Sequence, residues 1–383
     1  MNHPNIPKRA IAAIQALCRV GWPSEVLIPS LLEALHGVIP SARNLFDWTD
    51  DQGQLLRYFI EGPVDTAVAQ LYFQRFYNNK ETICMPAFAS LSRAPAGVRP
   101  ASELDHANFF ASDLYNEVWQ PQGMHTRIEG VVRSRNGRLL GSLVLYSGPG
   151  DRRFSAADER TLEALLPMIG HALTHCPNAS PAPSRSNLHV PSRESTETLL
   201  LDPLGRVFHA SPGAARLMML ADQGLSREAL ERSLDERVTR LFGRLIEQLR
   251  QRVVSGTAGS LEPMPSLSMF NPYGRFDAQG SLLRPHGAAT GDDRTLLQIV
   301  LRHLEPREVA VRRVLRDLPI SVGQASVGAG LYAGKAQTEI AREMAVATST
   351  VIDHARKLYR VLDVAGATEL RDLLDNHMST AVR

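Results

Sequence analysis

The sequence predicts a multidomain protein in which α+β domains precede an all-α domain. A chain of 383 residues has the length of two or three domains. A proline- and serine-rich stretch over residues 176–195 divides two segments in which helical and strand patterns mix. Near the C-terminus, over residues 336–362, the apolar positions have the spacing of two short helices. We therefore expect two α+β domains, a linker between them and a helical C-terminal domain.

The composition limits the class of protein. Apolar residues make up 44% of the chain, charged residues 21%, and the formal net charge is +2. These values neither require nor exclude a nucleic-acid partner, because the local charge decides that. Cys18, Cys84 and Cys176 are too few and too scattered for a disulfide framework or a zinc site. No apolar run has the form of a signal peptide or a membrane span, so we expect a cytoplasmic protein without a membrane partner.

Residues 1–175 combine helical segments with a β-hairpin. Helical spacing predicts two helices at the start, and the Asn136-Gly137 pair predicts a two-residue turn between strands. Ser155 is a candidate N-cap for the helix that closes the segment. The order of elements and the closing "LGSLVLYSGPGDRRFSAADERTLEALLPMIGHAL" resemble a GAF-type sensor domain. We therefore interpret residues 1–175 as a GAF-like α+β domain.

A mixed aromatic and polar stretch, "NEVWQPQGMHTRIEG", lies between a helix and the hairpin. In GAF-type domains such a segment can wall a ligand pocket. The resemblance thus implies that Trp119, Met124 and His125 contact a small-molecule effector of unidentified chemistry. The alternative is that these side chains only close the core.

Residues 196–303 form the second α+β segment. "TLLLDPLGRVFHASPGAARLMM" has the pattern of a strand, a turn, a second strand and a helix, and it resembles the opening of a PAS-type domain. Two later runs, "YGRFDAQGSLLRP" and "RTLLQIVLRHLEP", predict further strands. Residues 256–272, which are rich in Gly, Pro, Ser and Met, are expected to form a loop.

A connector helix is predicted over residues 304–317. It carries Arg307, Arg312, Arg313 and Arg316. A run of cations on a helix usually marks a solvated surface, and the alternative is a contact with a DNA backbone.

Two short helices follow, over residues 336–344 and 349–362. In the second helix, apolar residues recur at one buried stripe, and either Thr348 or Ser349 could cap its start. The opposite side of that helix is basic. Two short helices joined by a tight turn, with a basic outer face on the second, indicate a helix-turn-helix.

Residues 318–374 resemble the LuxR-type DNA-binding domain of bacterial regulators. The resemblance rests on "EIA", "STV", His354, the Leu-Tyr-x-x-Leu spacing near the helix end and the closing "TEL". It implies a DNA-binding domain over 318–377 whose four helices lie near residues 321–333, 336–343, 348–362 and 366–376. The third helix would be the recognition helix, and the fourth often serves dimerisation.

The resemblance implies double-stranded DNA as partner, a homodimer as the binding state and RNA polymerase as a further partner. The residues expected to contact DNA are Thr348, Ser349, Thr350, Ile352, Asp353, Arg356, Lys357 and Arg360. Two features depart from the family pattern. Ile352 stands where related regulators usually have a lysine, and the first helix contains Gly323, Gly328 and Gly330. Each interior glycine costs about 0.5–1 kcal/mol relative to alanine.

Enzyme motifs are not found in the sequence. "GAGLYAGK" lacks the glycine spacing and the Ser or Thr of a phosphate-binding loop, and no HExxH, GxSxG or paired CxxC occurs. We predict no enzyme activity, no catalytic residue, no metal and no cofactor. Because the departures weaken the DNA-binding pattern, an alternative stays open. In that alternative the chain is a signalling or interaction protein that does not bind DNA and uses its C-terminal helices for dimerisation.

Overall fold

The computed structural model describes residues 6–175, 189–222, 225–226, 232–254, 263–284 and 295–380. Within these ranges, helices and strands form two antiparallel sheets and a C-terminal helical region. The mixed architecture that the sequence predicts is therefore confirmed. The boundaries of the individual domains, and their family assignments, stay predictions.

The first sheet is built mainly by the N-terminal segment. Its strands are β1 (Arg43–Thr49), β2 (Leu55–Ile60), β3 (Gly97–Arg99), β4 (Thr126–Arg133), β5 (Leu139–Ser147) and β8 (Leu225–Ser226). They lie in the order β3-β4-β5-β1-β2-β8, and all pairs are antiparallel. The predicted hairpin is present as β4 and β5, and Gly137 occupies the left-handed region at φ 83° in its turn.

Helices cover both faces of this sheet. On one face lie α1 (Ile6–Cys18), α2 (Ser24–Leu35) and α5 (Ala156–Thr174), and on the other lie α3 (Thr66–Leu71), α4 (Ala107–Phe110) and several short helical turns. Since both faces are covered, nearly every residue of β4 and β5 is buried. Ser155 caps α5 as predicted, in a reciprocal capping box with Asp158.

The second sheet has the same strand topology as the first. Its strands are β6 (His189–Leu201), β7 (Val207–Ala210), β9 (Ser266–Asn271), β10 (Gly274–Leu283) and β11 (Leu296–Pro306), in the order β7-β6-β11-β10-β9. In both sheets the first and last strands of the segment are neighbours at the centre. Two helices, α6 (Ala214–Ala221) and α7 (Leu234–Val254), cover one face of it.

Three predicted boundaries differ from the structure. Residues 176–188 of the predicted linker lie outside the described residues. Residues 189–195 belong to β6, and residues 189–191 pair with the end of β11. Because of this pairing, residues 304–306 of the predicted connector helix are strand, and the helix starts at Arg307. Residues 266–271, expected in a loop, form the edge strand β9.

The two α+β segments share one hydrophobic core. One face of the first sheet is covered by α1, α2 and α5. The buried side chains on that face form one continuous cluster with those of the second sheet. At their boundary the rings of Phe59 and Tyr273 stack with centroids 6.1 Å apart. In addition, β8 comes from the second segment but pairs with β2 of the first. The segments are therefore joined by packing and by backbone hydrogen bonds.

The C-terminal region contains the connector helix and four further helices. They are α8 (Arg307–Asp317), α9 (Val322–Tyr332), α10 (Gln337–Met344), α11 (Thr348–Leu362) and α12 (Ala367–Thr380). A C-terminal helical region is therefore present, and its arrangement as a helix-turn-helix domain stays a prediction. The apolar faces of these helices form a separate core that also takes in Val190 of β6.

Candidate functional site

A tight turn joins α10 to α11. Ala345 ends α10 in the left-handed conformation, at φ 53°, and the amide of Val346 donates to the carbonyl of Ala341 at 3.0 Å. This pattern satisfies the free carbonyls at the end of the helix and reverses the chain. The predicted cap at Thr348 or Ser349 is wrong: Ala347 occupies the N-cap position without a side-chain hydrogen bond.

The inner faces of α10 and α11 pack closely against α9, the first of the four helices. Val351, Ala355 and Leu358 are buried on the inner face of α11. A β-carbon at Gly323 would lie 2.9 Å from the ring of His354, and one at Gly330 would lie 2.6 Å from Ile340. The interior glycines of α9 thus permit this close packing, and the capping box of Ser321 and Gln324 supports the start of the helix.

The residues expected to contact DNA lie on the outer face of α11 and at its start. Ser349, Ile352, Arg356, Lys357 and Arg360 are exposed. Thr348, Thr350 and Asp353 are half-buried. The first five side chains are exposed in the presence of the rest of the chain. No other described part of the chain therefore covers this face.

The charges on the outer face of α11 are partly paired. Lys357 Nζ lies 2.7 Å from Asp353 Oδ2, one helical turn away. This hydrogen bond, together with nearby positive charge, lowers the pKa of the Asp353 carboxyl. Within the described part of the chain, Arg356 and Arg360 make no ion pair. The face therefore offers two arginines that are not committed to a protein partner, and a lysine that shares its charge with a carboxylate.

The arginines of the connector helix have a role that the sequence did not indicate. The sequence left two alternatives for these arginines, a solvated surface and a contact with DNA. Arg313 and Arg316 do neither and instead form ion pairs within the protein. Both reach Glu33 of α2, at 3.3 and 2.8 Å, and Arg313 also pairs with Glu305 of β11 at 2.7 Å. Arg193 of β6 approaches Glu33 at 3.6 Å. Both α+β segments and the connector helix thus meet at one carboxylate.

Further contacts hold the connector against the N-terminal helices. Arg9 donates to the carbonyl of Arg316 at 3.2 Å and to that of Leu318 at 2.6 Å. The indole Nε1 of Trp22 donates to Glu308 at 2.7 Å. We refer to Arg9, Trp22, Glu33 and their partners on the connector as the connector junction. No motif marks these residues, because the partners are 280 to 309 positions apart in the chain.

The predicted effector-contacting residues lie between the first sheet and its irregular helices. Trp119 and Met124 are buried, and the Trp119 ring meets Phe109 edge-on at 4.8 Å. His125 is half-buried, stacks on Phe110 at 4.6 Å and shares a 2.8 Å hydrogen bond with the Tyr115 hydroxyl. The three residues therefore line one aromatic cluster.

The same interior contains buried ionisable groups. Asp47 accepts a 3.2 Å hydrogen bond from Ser142, and Glu129 lies 3.0 Å from Arg99 and 3.3 Å from Arg127. Burial raises the pKa of Asp47 to about 8, and the Glu129 carboxylate adds to the rise. At neutral pH the Asp47 carboxyl is therefore mostly protonated.

The described residues contain no group of three or more His, Cys, Asp or Glu side chains arranged to hold a metal ion. Among the same residues, every helix is too short or too polar to cross a lipid bilayer.

No protein-family model matches the chain, and no curated protein is significantly similar to it. Solved structures that resemble it include the E. coli DhaR(N)-DhaL complex, with 16% identity, a TM-score of 0.25, and coverage of 78% of this chain and 88% of that chain. The bacteriophytochrome RpBphP3 from R. palustris has 10% identity and a TM-score of 0.31, with coverage of 79% and 64%. The sensor region of a sensor histidine kinase has 13% identity and a TM-score of 0.18, with coverage of 79% and 94%.

Proposed function

We propose that this protein is a bacterial DNA-binding transcription regulator whose N-terminal α+β segments act as sensory input to a C-terminal helix-turn-helix. One observation carries the proposal. The outer face of α11 is exposed and presents Arg356 and Arg360 without an ion-pair partner among the described residues, while the opposite stripe is buried. A helix anchored by one face and basic on the other has the form required to enter the major groove.

The exposed side chains suit different parts of a duplex. Arg356 and Arg360 would contact phosphates or guanine edges, and the apolar Ile352 would contact a thymine methyl group. Asp353 would accept a hydrogen bond from cytosine or would hold Lys357 in place. The proposal includes a homodimer, because two-fold symmetric regulators bind half-sites about one helical turn apart.

Control of DNA binding by the input segments would act through the connector junction. Glu33 belongs to the N-terminal segment, Arg193 to the second segment and Arg316 to the connector helix that precedes α9. A change in either input segment would therefore alter the contacts that position the DNA-binding helices. RNA polymerase is proposed as the further partner of the DNA-bound state.

Fluorescence anisotropy with the full chain and a labelled random-sequence duplex tests DNA binding. We expect binding at low salt that weakens as sodium chloride is raised, because phosphate contacts release counterions. Arg356→Ala should weaken binding and reduce the log–log salt slope by about one unit, because one phosphate contact is lost. Arg160→Ala, on the exposed face of α5, is the matched control, because it removes the same charge elsewhere. Absence of binding by the unmodified chain at low salt would contradict the proposal.

A second function is favoured by exposed apolar residues in the same region. Val346 and Ile352, six positions apart at the start of α11, are 38% and 39% exposed. Exposed apolar side chains that lie close together can form part of a protein interface. In this alternative the C-terminal helices dimerise and do not bind DNA. Sedimentation of the full chain with and without duplex separates the two, because only the first function produces a protein–DNA complex.

A further inference from the structure

A cavity of about 300 Å³ lies where the two α+β segments and the connector helix meet. Its volume is at the lower end of the range of small-molecule sites. Each of the three parts contributes to the wall. The contributing residues used below are Val26 and Phe59 from the first segment, Ser192 and Tyr273 from the second, and Val309 and Arg313 from the connector.

Two buried hydroxyl groups in the cavity wall lack partners among the described residues. Ser192 is 5% exposed and Tyr273 is 7% exposed, and neither Ser192 Oγ nor the Tyr273 hydroxyl makes a hydrogen bond. A buried polar atom without a partner destabilises the fold, so such atoms are rare in proteins. A bound molecule that forms hydrogen bonds with both hydroxyls would remove this cost.

The charged groups around the cavity are already paired. The pairs and their separations are Glu25 with Arg57 at 2.6 Å, Glu61 with His36 at 2.8 Å, Glu33 with Arg316 at 2.8 Å and Glu305 with Arg313 at 2.7 Å. The guanidinium of Arg216 donates to the backbone carbonyl of Gly62 at 2.9 Å. A charged molecule would have to break one of these pairs, whereas a neutral one would not.

Apart from Ser30, Arg193 and His303, each of which has a polar partner in the protein, the remaining wall is apolar and partly aromatic. Phe59 and Tyr273 stack with an interplanar angle of 15°, and Val26, Pro29 and Val309 line the cavity beside them. Flat rings and aliphatic groups of this kind fit the faces of a small ring compound.

We propose that this cavity is a binding site for an uncharged aromatic small molecule that carries a hydroxyl or carbonyl group. Its ring lies against Phe59 and Tyr273, and its polar group bonds to the hydroxyls of Ser192 and Tyr273. The site is separate from the aromatic cluster around Trp119. Because Val309 and Arg313 of the connector line it, occupancy would shift the connector junction; that consequence rests on the proposed function, whereas binding does not.

Isothermal titration calorimetry on the full chain without DNA tests the site. The neutral probes are phenol, benzyl alcohol and benzamide, and the charged probes are benzoate and benzylamine. We expect at least one neutral probe to saturate one site per chain, with an affinity at least about tenfold higher than that of either charged probe. Failure of every neutral probe to saturate at about 5 mM, or equal affinity for a charged probe, would overturn the proposal.

Variants locate the binding. Tyr273→Phe should weaken binding of the best neutral probe about tenfold, and Ser192→Leu, which fills the cavity, should abolish it. Tyr58→Phe is the matched control, since Tyr58 is equally buried but lies outside the cavity wall. Unchanged binding in folded Tyr273→Phe and Ser192→Leu proteins would overturn the assignment. Circular dichroism establishes folding, and if either variant fails to fold, Ser192→Ala replaces it with the expectation of weaker binding.

The DNA measurement is made separately. If the probe binds but the chain has no affinity for duplex, the cavity assignment stands and the proposed function fails. If the chain binds duplex but no neutral probe, the proposed function stands and the cavity assignment fails.

Discussion

Glu33 Oε1 of α2 accepts a 2.8 Å hydrogen bond from Arg316 Nη2 of the connector helix, across 283 positions of sequence. Burial alone would raise the pKa of Glu33, but the hydrogen bond from Arg316 and the charges of neighbouring arginines lower it below its usual range. A carboxyl whose pKa is lowered by folding contributes stability above its unfolded pKa and loses that contribution as the pH falls through its folded pKa. The connector junction should therefore weaken in acid.

Glu33→Gln should loosen the connector helix. The change keeps the shape of the side chain but removes the charge that holds Arg313 and Arg316. We expect amide hydrogen exchange in α8 to accelerate about three- to tenfold, because a partly exposed charged pair contributes roughly 1 kcal/mol. Glu247→Gln on α7 removes an exposed carboxylate of an i,i+3 pair and should leave α8 unaffected. Identical exchange in both variants would show that Glu33 does not position the connector.

Ile352→Lys should strengthen binding to non-specific duplex. Ile352 is exposed on the outer face of α11, so a lysine there adds a cation toward phosphate without leaving a cavity. The log–log salt dependence of binding should steepen by about one unit, for one further counterion released.

Leu56→Lys is the matched control for this variant, because Leu56 is an exposed apolar residue of β2. It adds the same net charge far from α11 and should leave the salt slope unchanged. If Ile352→Lys instead lowers the melting temperature or dissociates a dimer, Ile352 lies in a protein interface, and the alternative function gains support.

Ala345→Gly should stabilise the C-terminal helices. The left-handed conformation of Ala345 costs about 1–2 kcal/mol for an L-residue and little for glycine, which in turn loses about 0.5–1 kcal/mol of chain entropy. The net gain in the free energy of unfolding should be about 0.5–1 kcal/mol, measured by urea denaturation. Ala164→Gly makes the same substitution at an exposed position in the interior of α5 and should destabilise by about 1 kcal/mol.

Asp47→Asn should flatten the dependence of stability on pH. The folded-state pKa of Asp47, about 8, lies above its ordinary value of 3.8. Between these values the folded protein keeps a proton that the unfolded chain releases, so stability falls as the pH rises toward 8. We expect the free energy of unfolding, measured with urea from pH 5 to pH 8, to fall less steeply with pH in the variant. The difference in slope should be about 1.4 kcal/mol per pH unit. The exposed Asp51→Asn should retain the slope of the unmodified protein.

Elements with strong local signals could be predicted from the sequence. The Asn136-Gly137 turn, the Ser155 cap and the helical stripe that contains Val351 and Leu358 all depend on neighbours within a few positions. By contrast, β1 was not identified: apart from its first residue it is buried on both faces, so its sequence shows no alternation. The composition around β9, rich in Pro, Ser and Met, predicts a loop, but pairing with β10 beyond the turn makes this stretch a strand.

The functional residues divide in the same way. The outer face of α11 follows from helical spacing, so Arg356 and Arg360 were identified and the structure leaves them exposed. The partners of Arg313 and Arg316 could not be identified, because Glu33 is brought to them only by the tertiary fold. The cavity beside Tyr273 was missed for the same reason, since its walls come from three separate parts of the chain.

The continuous core beneath the two sheets has a consequence for protein engineering. A chimera that exchanges one α+β segment for a homologous one would place mismatched surfaces around Phe59 and Tyr273. Exchange of the second segment would also remove β8, the strand that pairs with β2. The C-terminal helices pack around a core of their own. Recombination just after β11 should therefore yield folded hybrids far more often than recombination between the sheets, and calorimetric melting should show the two sheets unfolding in one transition.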